Sequence, residues 1–261
     1  MSTVPVNLPH RLERTLLIHA RPSTVFRFFT DSARWASWWG TGSSIDPAPG
    51  GQLRIRYPNG IEARGEVLDI QPPSRLTFTY GYVSGAPIAP GASLVTIVLT
   101  SEGDHTRVTL THAFDDAAVR DEHVQGWRYQ LSLFANVVCD ETYARAEASL
   151  DAWFEAWSTA DEHGRARALA SVAAPTVRFK DQFGTADTVE EILGHIGGVH
   201  RFMPGLTLQR EGRMRRCQEV ALVDWIARAA NGDERGRGSN VFTFNVDGQI
   251  ASVTGFWQQN P

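Results

Sequence analysis

Between Leu53 and Phe114 apolar and polar side chains alternate, and directly afterwards that rhythm stops. The runs Leu53/Ile55/Tyr57, 61–70, Leu76/Phe78/Tyr80/Tyr82, 94–99 and Val108/Leu110/His112/Phe114 carry the two-residue period of strands with one buried face. PNG, QPPS and SEGDH separate them with turn chemistry. After Asp115 and Asp116 the period lengthens. Val124, Trp127, Leu131, Phe134 and Val138 recur at three- and four-residue steps, the apolar face of one long helix. Upstream, residues 11–20 read as a strand. Pro22 and Ser23 open a helix striped by Val25, Phe28 and Phe29, and Trp35, Trp38 and Trp39 mark a second. Strand, two helices, five antiparallel strands and a long helix predict a curved sheet gripping that helix, with a cavity between them.

Three segments in this order, WASWWG (35–40), GGQLRIRYPNG with GEVLDIQPPSRLTFTY (50–80) and GWRYQLSLF (126–134), resemble the family of activators of the ninety-kilodalton heat-shock protein ATPase. The resemblance covers roughly residues 10–140. It implies a helix-grip domain, related to small-ligand and lipid-binding cups, over residues 1–142. The family's chaperone association makes a chaperone-touching first domain one expectation.

No Gly or Pro occurs between Trp127 and His163, so the second half, 143–261, is expected to follow through nearly abutting helices. Tyr143, Ala146, Leu150, Trp153, Phe154 and Trp157 form a helical stripe, and a short helix follows Asp161. VRFKDQFG (177–184) reads as a strand, and Asp187 with Glu190 as the capping box of a third helix running to about Phe202. Residues 206–211, 214–228, 240–245 and 249–257 are strand-like, with AANGDERG and NVDG as turns. The whole chain is thus expected to be α+β in two domains, the second a cone-shaped barrel of three helices and a curved mixed sheet. The segments AWFEAWSTAD, VRFKDQFGTADTVEEILGHI and SNVFTFNVDGQIASVTGFW resemble the SnoaL-like branch of the nuclear transport factor 2-like superfamily. That superfamily holds ketosteroid isomerases, polyketide cyclases, dehydratases and binding modules.

Asp181 breaks the alternation of its strand. It shares a face with Val177, Phe179 and Phe183, where the pattern asks for another apolar residue. Either it is a carboxylate set in an apolar pocket, or a strand-end residue that bonds the backbone amides of the next turn. Resemblance to ketosteroid isomerase favours a proton-taking base at Asp181 and puts the oxyanion donors near Trp153 and at Asn240. His200, if it faces the pocket, is a partner for Asp181. Trp153, Trp157, Phe179, Phe183, Phe202 and Trp225 are expected to line a pocket suited to flat apolar ligands, with Asp224 inward or paired to an arginine. In the first domain Tyr80 and His112 are candidate cavity-lining polar groups, His112 otherwise being a satisfied core histidine. The three tryptophans at 35, 38 and 39 read as core.

The formal charge of −4 gives no reason to expect nucleic acid. No apolar run reaches the roughly 20 residues that span a bilayer. Two cysteines, Cys139 and Cys217, fit a reducing cytoplasm and show no metal-binding spacing. No metal or cofactor is expected. Three functions follow: binding of small apolar or cyclic molecules in both domains; acid–base catalysis of isomerase, cyclase or dehydratase type with Asp181 as base; or chaperone interaction. By resemblance the second domain is also expected to form a homodimer.

Overall fold

The structure, a computed structural model, describes residues 7–258. The chain is α+β and divides into two compact units between Glu141 and Thr142.

The first unit opens with β1 (His10–Ile18), α1 (Pro22–Arg27) and α2 (Ser32–Trp39). Pro22 occupies the first turn of α1, where its missing N–H costs nothing, and the Asp31 side chain caps α2 by accepting from Arg34 N at 2.8 Å. Then come β2 (Ser44–Ile45), β3 (Gln52–Arg56), β4 (Glu62–Gln71), β5 (Arg75–Tyr82), β6 (Ser93–Glu102), β7 (His105–Phe114) and the 26-residue α3 (Ala117–Thr142). The seven strands form one antiparallel sheet in the order β1-β7-β6-β5-β4-β3-β2. The two-residue β2 is too short to show a period and escapes sequence reading. Gly65 lets β4 cross β5 closely, since a Cβ there would lie 1.6 Å from the Thr79 carbonyl oxygen.

The core of this unit is aromatic. Trp35, Trp38 and Trp39 are buried, as their helical spacing predicts. Trp38 meets Phe29 and Phe134 edge-on, with ring centroids 6.0 and 4.9 Å apart. The buried face of α3 starts at His123 rather than Val124 and continues through Trp127, Leu131, Phe134 and Val138.

The second unit contains α4 (Ala146–Ser158), α5 (Glu162–Val172), β8 (Ala173–Lys180), β9 (Thr185–Ala186), α6 (Val189–Phe202), β10 (Thr207–Cys217), β11 (Val220–Arg228), β12 (Glu234–Phe244) and β13 (Ile250–Trp257). Its sheet runs β10-β11-β12-β13-β8-β9 and is mixed, β13 pairing parallel with β8 and the other pairs antiparallel. Two expectations need correction. The run 214–228 is broken at Gln218, whose φ of 53° turns the chain between β10 and β11. The cap of α6 is Thr188 rather than Asp187: its hydroxyl accepts from Glu191 N at 3.1 Å, and the Glu191 carboxylate accepts from Asp187 N at 2.7 Å. Among the described residues no helix is long and apolar enough to cross a membrane.

Candidate functional site

Each unit holds a cavity. That of the second unit has a volume of about 320 Å³ and lies against β8, β10, β11, β12 and β13, with α4, α6 and the loops that follow β8 and α6 supplying the rest. Its walls are Trp157, Phe179, Trp225 and Trp257, with Phe183 at one side. The rings meet edge-on or tilted: Trp225 and Trp257 at 4.7 Å, Phe183 and Trp257 at 5.0 Å, Trp157 and Phe179 at 5.5 Å. Such walls favour a flat apolar guest.

Asp181, His195, Arg235 and Asn240 supply the polar groups. β8 ends at Lys180, so Asp181 follows the strand instead of alternating along it. Its Oδ1 accepts from Phe183 N at 2.8 Å and Gly184 N at 3.0 Å, and its own N–H donates to the Gly184 carbonyl. The residue thus ties the turn, while Trp257 Nε1 lies 3.4 Å from its Oδ2 and the side chain borders the cavity. The two readings of Asp181 are not exclusive.

Asn240 is buried on β12, where its Oδ1 accepts from Trp225 Nε1 at 2.9 Å. That bond commits the amide oxygen and leaves the NH₂ group, which has no protein acceptor among the described residues, as a donor at the cavity wall. Gly255 lies between these two groups. A Cβ there would meet Asp181 Cβ at 3.1 Å and Asn240 Oδ1 at 3.2 Å, so any larger residue would crowd both.

Several expected positions are corrected. Trp153 is wholly buried against Phe242 and Phe179 and is core, not cavity wall. Phe202 is 85% exposed at the end of α6, and the next residue, Met203, borders the cavity instead. Phe183 borders the cavity yet is 65% exposed. His200 does not partner Asp181: its Nε2 lies 3.0 Å from the Trp157 carbonyl oxygen, tying α6 to α4. Asp224 lies on the less buried face of β11, opposite Ala221, Val223, Trp225 and Ala227, and on its own face only Ile226 is buried. The Asp224 carboxylate is 2.7 Å from Arg215 and accepts from Ser239.

Arg235 was not singled out from the sequence, and His195, five residues before His200 on the third helix, reads there as a helix histidine meeting solvent or the dipole rather than a cavity group. The signal for His195 was present: it falls with Ile192, Ile196 and Val199 on one helical stripe of α6. Its ring lies 5.4 Å from that of Phe179 and 5.7 Å from that of Trp157. Arg235 sits in an exposed polar stretch that shows no period.

The first unit's cavity, about 500 Å³, lies between α3, β5 and the turn that joins β3 to β4. Trp39, Trp127 and Leu133 form apolar wall; Tyr57, Tyr80, Tyr82, His123 and Gln130 bring polar atoms. The hydroxyls of Tyr57 and Tyr80 are 2.8 Å apart, and burial pushes both phenols well above their ordinary range. His112 is corrected to a core residue outside the wall. Its Nδ1 accepts from Trp127 Nε1 at 2.9 Å, which places its proton on Nε2, facing Ser93 Oγ at 2.8 Å; Ser93 donates onward to the Tyr80 carbonyl. Burial, and after it the nearby His123, holds the His112 imidazole well below its usual range. Among the described residues no group of three His, Cys, Asp or Glu is placed to hold a metal.

Residues 19–138 match the family model described as Activator of Hsp90 ATPase homolog 1-like protein. Among solved structures, the Mll3558 protein from Rhizobium loti is 33% identical, over 48% of this chain and 94% of that one, with a TM-score of 0.39. An HSP90 activator from Plasmodium falciparum is 22% identical, over 45% of this chain and 87% of that one, with a TM-score of 0.39. A protein of the SnoaL-like family from Agrobacterium tumefaciens is 20% identical, over 44% of this chain and 99% of that one, with a TM-score of 0.43. No curated protein matches.

Proposed function

We propose that this protein binds small, flat, apolar molecules, with one aromatic-walled cavity in each unit. The observation that carries the reading is the second cavity: about 320 Å³ enclosed by Trp157, Phe179, Trp225 and Trp257, with few polar groups along its wall. Rigid aromatic walls offer large apolar contact at little entropic cost, and the few polar groups orient the guest. The test is a panel of ring compounds followed by thermal shift and tryptophan emission. A ligand bound only by the folded state raises its stability, and cavity-wall tryptophans report occupancy. Val199→Phe, which puts a ring into the second cavity, is expected to abolish the response of ligands housed there. A panel that moves neither signal in the unmodified protein would sink the proposal.

Acid–base catalysis is the second reading, and one observation favours it. A carboxylate, Asp181, and an amide donor, Asn240, flank Gly255 on one cavity wall. A base beside a donor able to meet a developing oxyanion is the minimum for moving a proton next to a carbonyl. Asp181→Asn should then remove turnover while ligand binding survives, because the turn keeps an acceptor for its amides. Turnover that persists in this variant excludes Asp181 as the base. Contact with a chaperone draws support from the family match of residues 19–138 alone.

A further inference from the structure

The first unit's cavity presents bare acceptors and no spare hydroxyl proton. His123 Nδ1 lies 2.7 Å from the Val119 carbonyl oxygen, so that nitrogen carries the proton and Nε2 is an acceptor. The Tyr82 hydroxyl, 3.3 Å away, donates to it. Tyr80 is hydrogen-bonded to Tyr82 and, with 2.8 Å between the hydroxyls, to Tyr57. The histidine thereby sets the direction of the relay: Tyr57 donates to Tyr80, Tyr80 to Tyr82 and Tyr82 to His123. Every phenolic proton is used. The open end is the Tyr57 oxygen, which accepts from no group among the described residues and belongs to the cavity wall.

Gln130 adds an independent observation. It is 5% exposed on α3, and its Nε2 donates to the Trp38 carbonyl, which fixes the amide orientation. Its Oε1 has no protein donor among the described residues. The indole N–H groups of Trp38 and Trp39 are unpaired as well, but both are sealed in the core, whereas the Gln130 oxygen borders the cavity. A buried acceptor left bare costs free energy until a donor reaches it. The wall also carries the Glu122 carboxylate, another acceptor, and among the described residues neither lysine nor arginine.

We infer that this cavity takes an uncharged ring compound bearing an O–H or N–H donor, such as an aryl alcohol, with that donor seated on Gln130 Oε1. The inference rests on the reading of the cavities as binding sites and adds the chemical class of the ligand.

The test titrates the full chain with naphthol, methoxynaphthalene and naphthoate, followed by calorimetry. The two neutral compounds share a ring system and an oxygen and differ in the donor proton. Naphthol should bind roughly three- to tenfold more tightly than methoxynaphthalene, the gap a single neutral hydrogen bond makes. Naphthoate, an anion facing acceptors, should bind more weakly than either. Gln130→Met keeps the side chain's length and removes the acceptor, so the gap should close while methoxynaphthalene binding stays as it was. Should that variant fail to fold, nuclear magnetic resonance of the labelled, unmodified protein decides: naphthol should shift the Gln130 side-chain carbonyl carbon and methoxynaphthalene should not. Gly126→Phe fills the rim from α3, where a Cβ meets no atom within 4 Å, and should weaken both neutral compounds. Equal affinity for naphthol and methoxynaphthalene, a gap that survives Gln130→Met, or a carbonyl carbon that responds to both alike overturns the inference. If Val199→Phe weakens naphthol binding and Gly126→Phe does not, the guest belongs to the second unit. The inference then fails while the general binding reading stands. If neither neutral compound binds, the ligand class is wrong whatever other rings the panel reveals.

Discussion

At the scale of single residues, hydrogen-bond partners decide what each polar group does. His112 and His200 both have committed nitrogens, and neither is free for chemistry at a cavity. His112 gives a pH prediction. Its folded-state titration lies well below that of an unfolded histidine, near 6.5, because burial disfavours the charged ring and the nearby His123 adds to this. His123 is lowered too, chiefly by burial. As pH falls, the unfolded chain takes up protons first. The stabilisation is therefore complete above about pH 6.5 and is lost below it, at about 1.4 kcal/mol per pH unit for each such group. Unfolding monitored between pH 8 and 5 should show this slope, and nuclear magnetic resonance should show a His112 imidazole that stays neutral through pH 6. An ordinary titration there would contradict the assigned bonds. Asn240 gives a second prediction. Asn240→Leu strands the buried Trp225 N–H, so urea unfolding of the second unit should show a loss of about 1–3 kcal/mol.

At the scale of elements, α6 matters most to the second cavity, since it presents His195 and Val199 to the wall. Its start depends on the Thr188 hydroxyl, which accepts from Glu191 N, and on the Glu191 carboxylate, which accepts from Asp187 N. Thr188→Ala is expected to cost about 1 kcal/mol, read as a shift in the denaturation midpoint, with Thr188→Ser close to the unmodified protein. Most of this layer was legible. The alternation of β3 to β7, the proline at the start of α1 and the stripe of α3 all predict their elements within a few residues. What escaped was local: a strand of two residues, a cap displaced by one position, and the turn at Gln218 inside an apparently continuous run. These depend on single φ angles or single side-chain bonds, which leave no period in the sequence.

At the scale of the molecule, each unit has its own buried core, Trp35, Trp38 and Phe134 in one and Trp153, Phe179 and Phe242 in the other. Fully burying a side chain of this size contributes roughly 2–3 kcal/mol, so each set is a substantial stabilising nucleus. Residues 1–142 and 143–261, produced separately, are therefore expected to fold and to unfold cooperatively by circular dichroism. A fragment that keeps helical signal but melts without a transition would show that its core depends on the other half.

The sequence by itself determined which segments alternate, which are striped and which turn, because periodicity and turn chemistry act over a few neighbouring residues. It therefore carried the fold class and the aromatic character of both units. Tertiary structure alone decided which of these aromatic and polar groups border open space. Trp153 and Trp157 stand one helical turn apart on α4, yet the first is core and the second is cavity wall. Asp224 and Trp225 are adjacent on β11 and point to opposite faces. The difference lies in what packs against each side chain from elements distant in the chain, and that distance is invisible to any local pattern.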